Sequence, residues 1–176
     1  HRPGPVAPGD QDGAFEVELP RGVNIYGFEA FSFTGSGTPD LVTLDDRQYL
    51  TLYGDKKDGK GWAKGYKSAE YYGGTLNRMS LNENGADARP ILVESRFLQT
   101  DMDRDGKKEL IIKKNTPGGL GRSADVPSSF KTSVVISLSW DEKGAATSEN
   151  WRTKQVEGYV SDFFIDDLDG DGNEEV

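Results

Sequence analysis

Carboxylates recur through this chain at alternate positions of short turns. Residues 101–109 read D-M-D-R-D-G-K-K-E, and residues 167–175 read D-L-D-G-D-G-N-E-E. Side chains at positions 1, 3 and 5 of such a turn converge on one point, while glycine at position 6 lets the backbone bend sharply and position 7 offers a carbonyl. A donor set made only of oxygen selects a hard cation, and its irregular geometry favours calcium over magnesium. The expected ligands of the first turn are Asp101, Asp103, Asp105, the carbonyl of Lys107 and the closing Glu109. Those of the second are Asp167, Asp169, Asp171, the carbonyl of Asn173 and Glu175. Two Ca2+ sites are therefore expected.

A helix-loop-helix calcium site opens with the same residues but needs a bidentate Glu at position 12. Position 12 here is Ile112, and Leu110-Ile111-Ile112 leads straight from the turn into a strand. Other chemistry finds few candidates. The only histidine is His1, there is no cysteine, and no serine lies in a G-x-S-x-G turn, so no enzymatic activity is expected. The formal net charge of −9 argues against nucleic acid, which is bound through clustered Lys and Arg. Seven acids crowd into the last fifteen residues, Asp162 to Glu175, where cations would relieve their repulsion. No apolar run is long enough to cross a bilayer.

The acid turns belong to a repeat. Residues 95–110 align without gaps on residues 161–176, from Asp101 to Asp167, at an offset of 66. A degenerate copy lies at 32–40, at an offset of 69 from the next, with Ser32, Thr34 and Ser36 at the acid positions and Gly37 and Asp40 retained. Between the turns the chain shows strand periods. Phe15, Val17 and Leu19 alternate, as do Tyr26 and Phe28, and Val134, Ile136, Leu138 and Trp140 share a face. The best-defined unit is predicted to hold four strands, near 95–100, 109–114, 132–140 and 150–156, with an irregular insertion at 115–130. Tyr49, Tyr53, Trp62, Tyr66, Tyr71, Tyr72, Trp140 and Trp151 serve as packing or as a ligand surface, and Tyr71-Tyr72-Gly73-Gly74 is predicted to be the exposed group.

This arrangement resembles the FG-GAP/VCBS repeat family, whose blades carry a D-x-D-x-D-G-x-x-D/E calcium loop between their first two strands. The resemblance spans about residues 24–176 and implies an all-β fold of β-propeller-type four-stranded antiparallel blades. At this length it would be an incomplete propeller of two to three blades. It divides the chain into a linker at 1–13, a first blade region with the degenerate loop at 14–94, a second blade with a calcium loop at 95–160, and the start of a third at 161–176. A partner chain or a longer polypeptide would complete the ring. The resemblance further implies an exported module, extracellular, on the cell surface or periplasmic, of bacterial type. Its expected role is a binding, adhesion or structural scaffold with protein, glycan or copies of itself as partners. The alternatives are a structural subunit of a surface assembly and an accessory domain of a carbohydrate-active enzyme.

Overall fold

The structure is a computed structural model and describes residues 19–21, 23–24, 26–56, 61–79, 91–118 and 129–171. The expected linker, the Phe15 and Val17 strand, most of the insertion, Asn173 and Glu175 lie outside those residues.

Every regular element among the described residues is a strand. In chain order these are β1 (Phe28–Phe31), β2 (Asp40–Leu44), β3 (Tyr49–Asp55), β4 (Trp62–Tyr71), β5 (Arg78–Met79), β6 (Ile91–Leu92), β7 (Leu98–Thr100), β8 (Glu109–Pro117), β9 (Phe130–Asp141), β10 (Ala146–Arg152) and β11 (Val156–Glu157). The fold is all-β and antiparallel, as the strand periods predict. With no helix among the described residues, none is long and apolar enough to cross a membrane.

Two antiparallel meanders organise the chain. β1 to β4 pair in sequence order, and β7 to β10 repeat that order in a second sheet, with β11 added on β9 and a small β5-β6 pair between. An acid or degenerate turn joins the first two strands of each meander. β8 and β9 owe their pairing to Ile, Val and Thr, which suit a pleated half-buried surface, and couple Leu110 with Leu138 and Ile112 with Ile136. β2 and β3 likewise couple Val42 with Leu52 and Leu44 with Leu50.

These four couples meet in one core with Phe31, Phe33, Tyr72 and Phe97. Burying an aliphatic side chain of this size stabilises by roughly 1.5–3 kcal/mol, so this contact dominates the fold. Its geometry follows the repeat. Val42, which faces the second sheet, corresponds to Ile111, and Ile111 faces the opposite way, into a second cluster with Val135 and Phe163. Phe97 and Phe163 also correspond, and each closes the cluster of the sheet before it. The sheets therefore stack front to back, each covering its predecessor with equivalent residues.

Two expectations are corrected. The irregular insertion does not begin at Asn115, because β8 continues to Pro117 and pairs Asn115 with Ser133, Thr116 with Thr132 and Pro117 with Phe130. Nor are Tyr72, Gly73 and Gly74 exposed; all three are buried. β7 is short and leaves the β8 edge open beyond Ile111, and Gly73 fills it as a parallel bridge, with Gly73 N–H donating to Lys113 O at 2.6 Å and Asn115 N–H to Gly73 O at 2.8 Å.

Candidate metal centre

Thr100 pairs directly with Glu109 across β7 and β8, so the residues between them must close a tight loop. Two left-handed residues do this: Arg104 at φ 59° and Gly106 at φ 87°. Position 4 is left-handed in all three copies, as Gly35 at 71° in the first turn and Gly170 at 76° in the third. Glycine takes that conformation freely, whereas Arg104 takes it at a cost of about 1 kcal/mol. The repeat read in the sequence is thus also a repeat of backbone shape.

Short side-chain to backbone bonds fix the second turn. Asp101 Oδ2 accepts from Gly106 N–H at 2.9 Å, Asp103 Oδ1 from Asp105 N–H at 3.1 Å, and Asp105 Oδ1 from Lys107 N–H at 2.8 Å. Glu109 Oε2 accepts from Met102 N–H at 2.8 Å. With one oxygen from each, Asp101, Asp103, Asp105 and Glu109 lie within 4.8 Å of one another. This group could hold a metal ion. Glu109 is buried, and that burial, with the charges of Asp103, Asp101 and Asp105 beside it, holds its carboxyl above the usual carboxylate range.

The oxygens also fit a cation individually. Asp101 Oδ1 is fully buried and has no hydrogen-bond partner among the described residues, an arrangement that costs free energy unless something positive meets it. All the donors are oxygen, which suits a hard divalent ion. Lys107 sends its side chain outward to Glu142 at 3.7 Å, an exposed pair that contributes little, and it brings no competing charge inward.

The third turn brings Asp167, Asp169 and Asp171 together within the same 4.8 Å, all three exposed. Asp171 N–H donates to Asp169 Oδ1 at 3.1 Å, the bond that Asp105 makes to Asp103 in the second turn. Gly170 N–H donates to Asp167 Oδ1 at 2.8 Å. In the first turn the hydroxyl and N–H of Thr34 occupy Asp40 Oδ2, at 2.8 and 2.7 Å. Hydrogen bonds there satisfy the closing acid without an ion.

A cleft of about 720 Å³ separates the first and second turns and is lined by Thr34, Asp103, Asp105, Trp140 and Asn150 among others. Trp140 meets Tyr66 and Phe33 edge-on, at centroid distances of 5.4 and 6.3 Å, so much of the aromatic set serves inter-sheet packing. Trp151 is 40% exposed.

Sequence reasoning missed a buried polar cluster where the sheets join. It comprises Glu94, Lys113, Asn115 and Ser133, each less than 10% exposed. Asn115 Nδ2 donates to Gly74 O at 2.7 Å and Val160 O at 2.9 Å, while its Oδ1 accepts from Ser133 Oγ and, at 3.2 Å, from Val160 N–H. Lys113 Nζ donates to Ser161 O at 2.9 Å and lies 5.3 Å from the centre of the Tyr159 ring. The available signal was alternation, since Lys113 and Asn115 fall in phase with the buried Ile111.

Comparison with known proteins finds no matching family model, no matching curated protein and no matching solved structure.

Proposed function

We propose that this chain is a calcium-binding repeat module built of β-propeller-type blades, of the kind that the FG-GAP/VCBS resemblance implies. Its role would be a binding or structural scaffold outside the cytosol, and not catalysis. One observation carries the reading: an acid turn whose carboxylates converge joins the first two strands of a four-stranded meander, and that meander stacks front to back on another of the same order. A two-sheet sandwich buries the inner faces of its sheets against each other and leaves their outer faces outside the core. Here the second sheet buries both faces, through Ile112 on one side and Ile111 on the other, as an interior blade must.

Calcium would be held by Asp101, Asp103, Asp105, the carbonyl of Lys107 and Glu109, and at a second site by Asp167, Asp169 and Asp171 with Asn173 and Glu175. Bound there, each ion would neutralise the acids and clamp the first strand of a blade to its second. The chemistry supplied is mechanical. A protein or glycan ligand, or another copy of the chain, is the expected partner of such a scaffold.

Isothermal titration of the chelator-treated protein with Ca2+ and Mg2+ tests the reading. Two equivalents of Ca2+ with weaker Mg2+ binding are expected, together with a calcium-dependent rise in Tm. The absence of both binding heat and a shift in Tm would refute it.

A further inference from the structure

Glu94 lies at the junction of the two sheets, two residues beyond β6, and is only 7% exposed. Both of its carboxylate oxygens are fully buried, and among the described residues neither meets a donor in good hydrogen-bond geometry. Its side chain packs against Gly27 on one side and approaches Gly73 on the other. The nearest donors are the Gly74 N–H, which is bound to Gln48 Oε1 at 2.9 Å, and the side-chain amide of Gln48, and together they draw the Glu94 carboxyl down less than burial raises it. An ionised carboxylate in this place presents only acceptors to surroundings that satisfy it poorly, whereas a protonated one carries a donor and no charge.

The backbone around it is unusual as well. Gln48, Gly73 and Gly74 all have left-handed φ, of 67°, 70° and 93°. The same corner forms the bridge that ties the end of the first meander to β8, through Gly73 N–H to Lys113 O and Asn115 N–H to Gly73 O. Tyr72 N–H, next in the chain, donates to Gln48 O at 2.8 Å. A change of charge at Glu94 therefore acts beside the Gly73 hydrogen bonds, which are among those that join the two sheets.

We propose that Glu94 is the proton-binding group of a latch between the sheets, closed when its carboxyl is protonated and loosened when it ionises. Among the described residues the ionisable groups around it are few. Lys113 faces it from β8, and Tyr159 and Asp162 stand behind Lys113 from the segment that follows β11. Gln48 brings no charge from the β2–β3 turn, and Gly27, Gly73 and Gly74 bring none from theirs. Burial pushes the Glu94 carboxyl up to about 7, against the opposing pull of Lys113, whose ammonium is itself pushed down by burial, and of the Gly74 N–H and the Gln48 side chain. A group that binds its proton more tightly in the folded state contributes stability at acid pH and loses it as pH rises through the folded value. The latch is accordingly shut in the mildly acidic range and weakened above neutrality.

Hydrogen exchange at the Gly73 and Asn115 amides tests this directly, with calcium saturating and rates corrected for intrinsic exchange. In the wild type, protection of both amides is expected to fall about tenfold or more between about pH 6 and pH 8, and in Glu94→Gln to stay level. Level protection in the wild type, or the same fall in the variant, overturns the latch. If the variant does not fold, a carbon-detected titration of the wild-type Glu94 carboxyl decides. A midpoint near neutrality with Gly73 shifting in step supports the latch, and an ordinary carboxylate midpoint refutes it.

Discussion

Asp40 receives both the N–H and the hydroxyl of Thr34 on a single oxygen, at 2.7 and 2.8 Å, whereas Glu109 at the same place in the next turn faces three carboxylates. The two turns share a backbone shape and satisfy their buried closing acids by opposite means, one with a hydroxyl and the other with a place for a cation. Asp40 is 4% exposed, so its lost partner would not be replaced by water. Thr34→Val keeps the side-chain shape and removes the donor, and should destabilise by about 1–3 kcal/mol. The loss should be equal with calcium and with chelator in denaturant titrations. A loss confined to the calcium-loaded protein would place an ion in the first turn.

In the second turn the sign of a substitution should depend on calcium. With the ion saturating at about a hundredfold above its Kd, binding adds about 2.7 kcal/mol per site. Asp103→Ala removes a ligand and should forfeit most of that. Without calcium the same change reduces four converging carboxylates to three and should leave stability level or slightly higher. Melting both proteins with Ca2+ and with chelator checks the inversion. A loss of equal size under both conditions would mean that Asp103 acts only through its bond to Asp105 N–H.

The strand periods and the acid spacing made the all-β class and the carboxylate clusters legible, because both are local. Alternation at Val134, Ile136 and Leu138 reports one face of β9 directly, and Asp101, Asp103 and Asp105 converge within a few residues. The junction was not legible for the opposite reason. Tyr72-Gly73-Gly74 carries the composition of an exposed turn, but the open edge of β8 some forty residues later draws it inward, and no local pattern encodes that. Asn115 read as the start of a loop because its side chain suits turns. It is instead fully buried in a strand, where its amide is satisfied by Gly74 and by Val160, both distant in sequence.

Gly73 should tolerate no side chain. A Cβ there would overlap Leu44 Cδ1 and stand 2.8 Å from Gln48 Oε1, on a backbone already at φ 70°. Left-handed strain of about 1–2 kcal/mol and overpacking of about 1–3 kcal/mol together give an expected cost for Gly73→Ala of roughly 3 kcal/mol. Gly37 provides the control, because its φ is 82° with nothing within 4 Å of the added carbon. Gly37→Ala should cost only the strain, about 1 kcal/mol. Urea denaturation of the two variants separates the terms, and equal losses would show that the packing around Gly73 yields freely.

Asn115→Asp is nearly isosteric and should still be among the most damaging changes in the chain. Asn115 is 0% exposed, and its amide nitrogen points at two carbonyls, those of Gly74 and Val160. An ionised carboxylate would set oxygen against oxygen at both contacts and leave the buried charge only Ser133 Oγ and Val160 N–H as donors, at a cost of at least about 3 kcal/mol. Protonation restores one donor and removes the charge. The substituted carboxyl must therefore titrate above its ordinary value in the folded state, so the penalty grows as pH rises and shrinks as it falls. Urea denaturation of both proteins at about pH 5 and pH 8 should show a smaller gap at the acid end. A gap that stays constant, or widens on acidification, would mean that Gly74 and Val160 move away from residue 115 and hydrate.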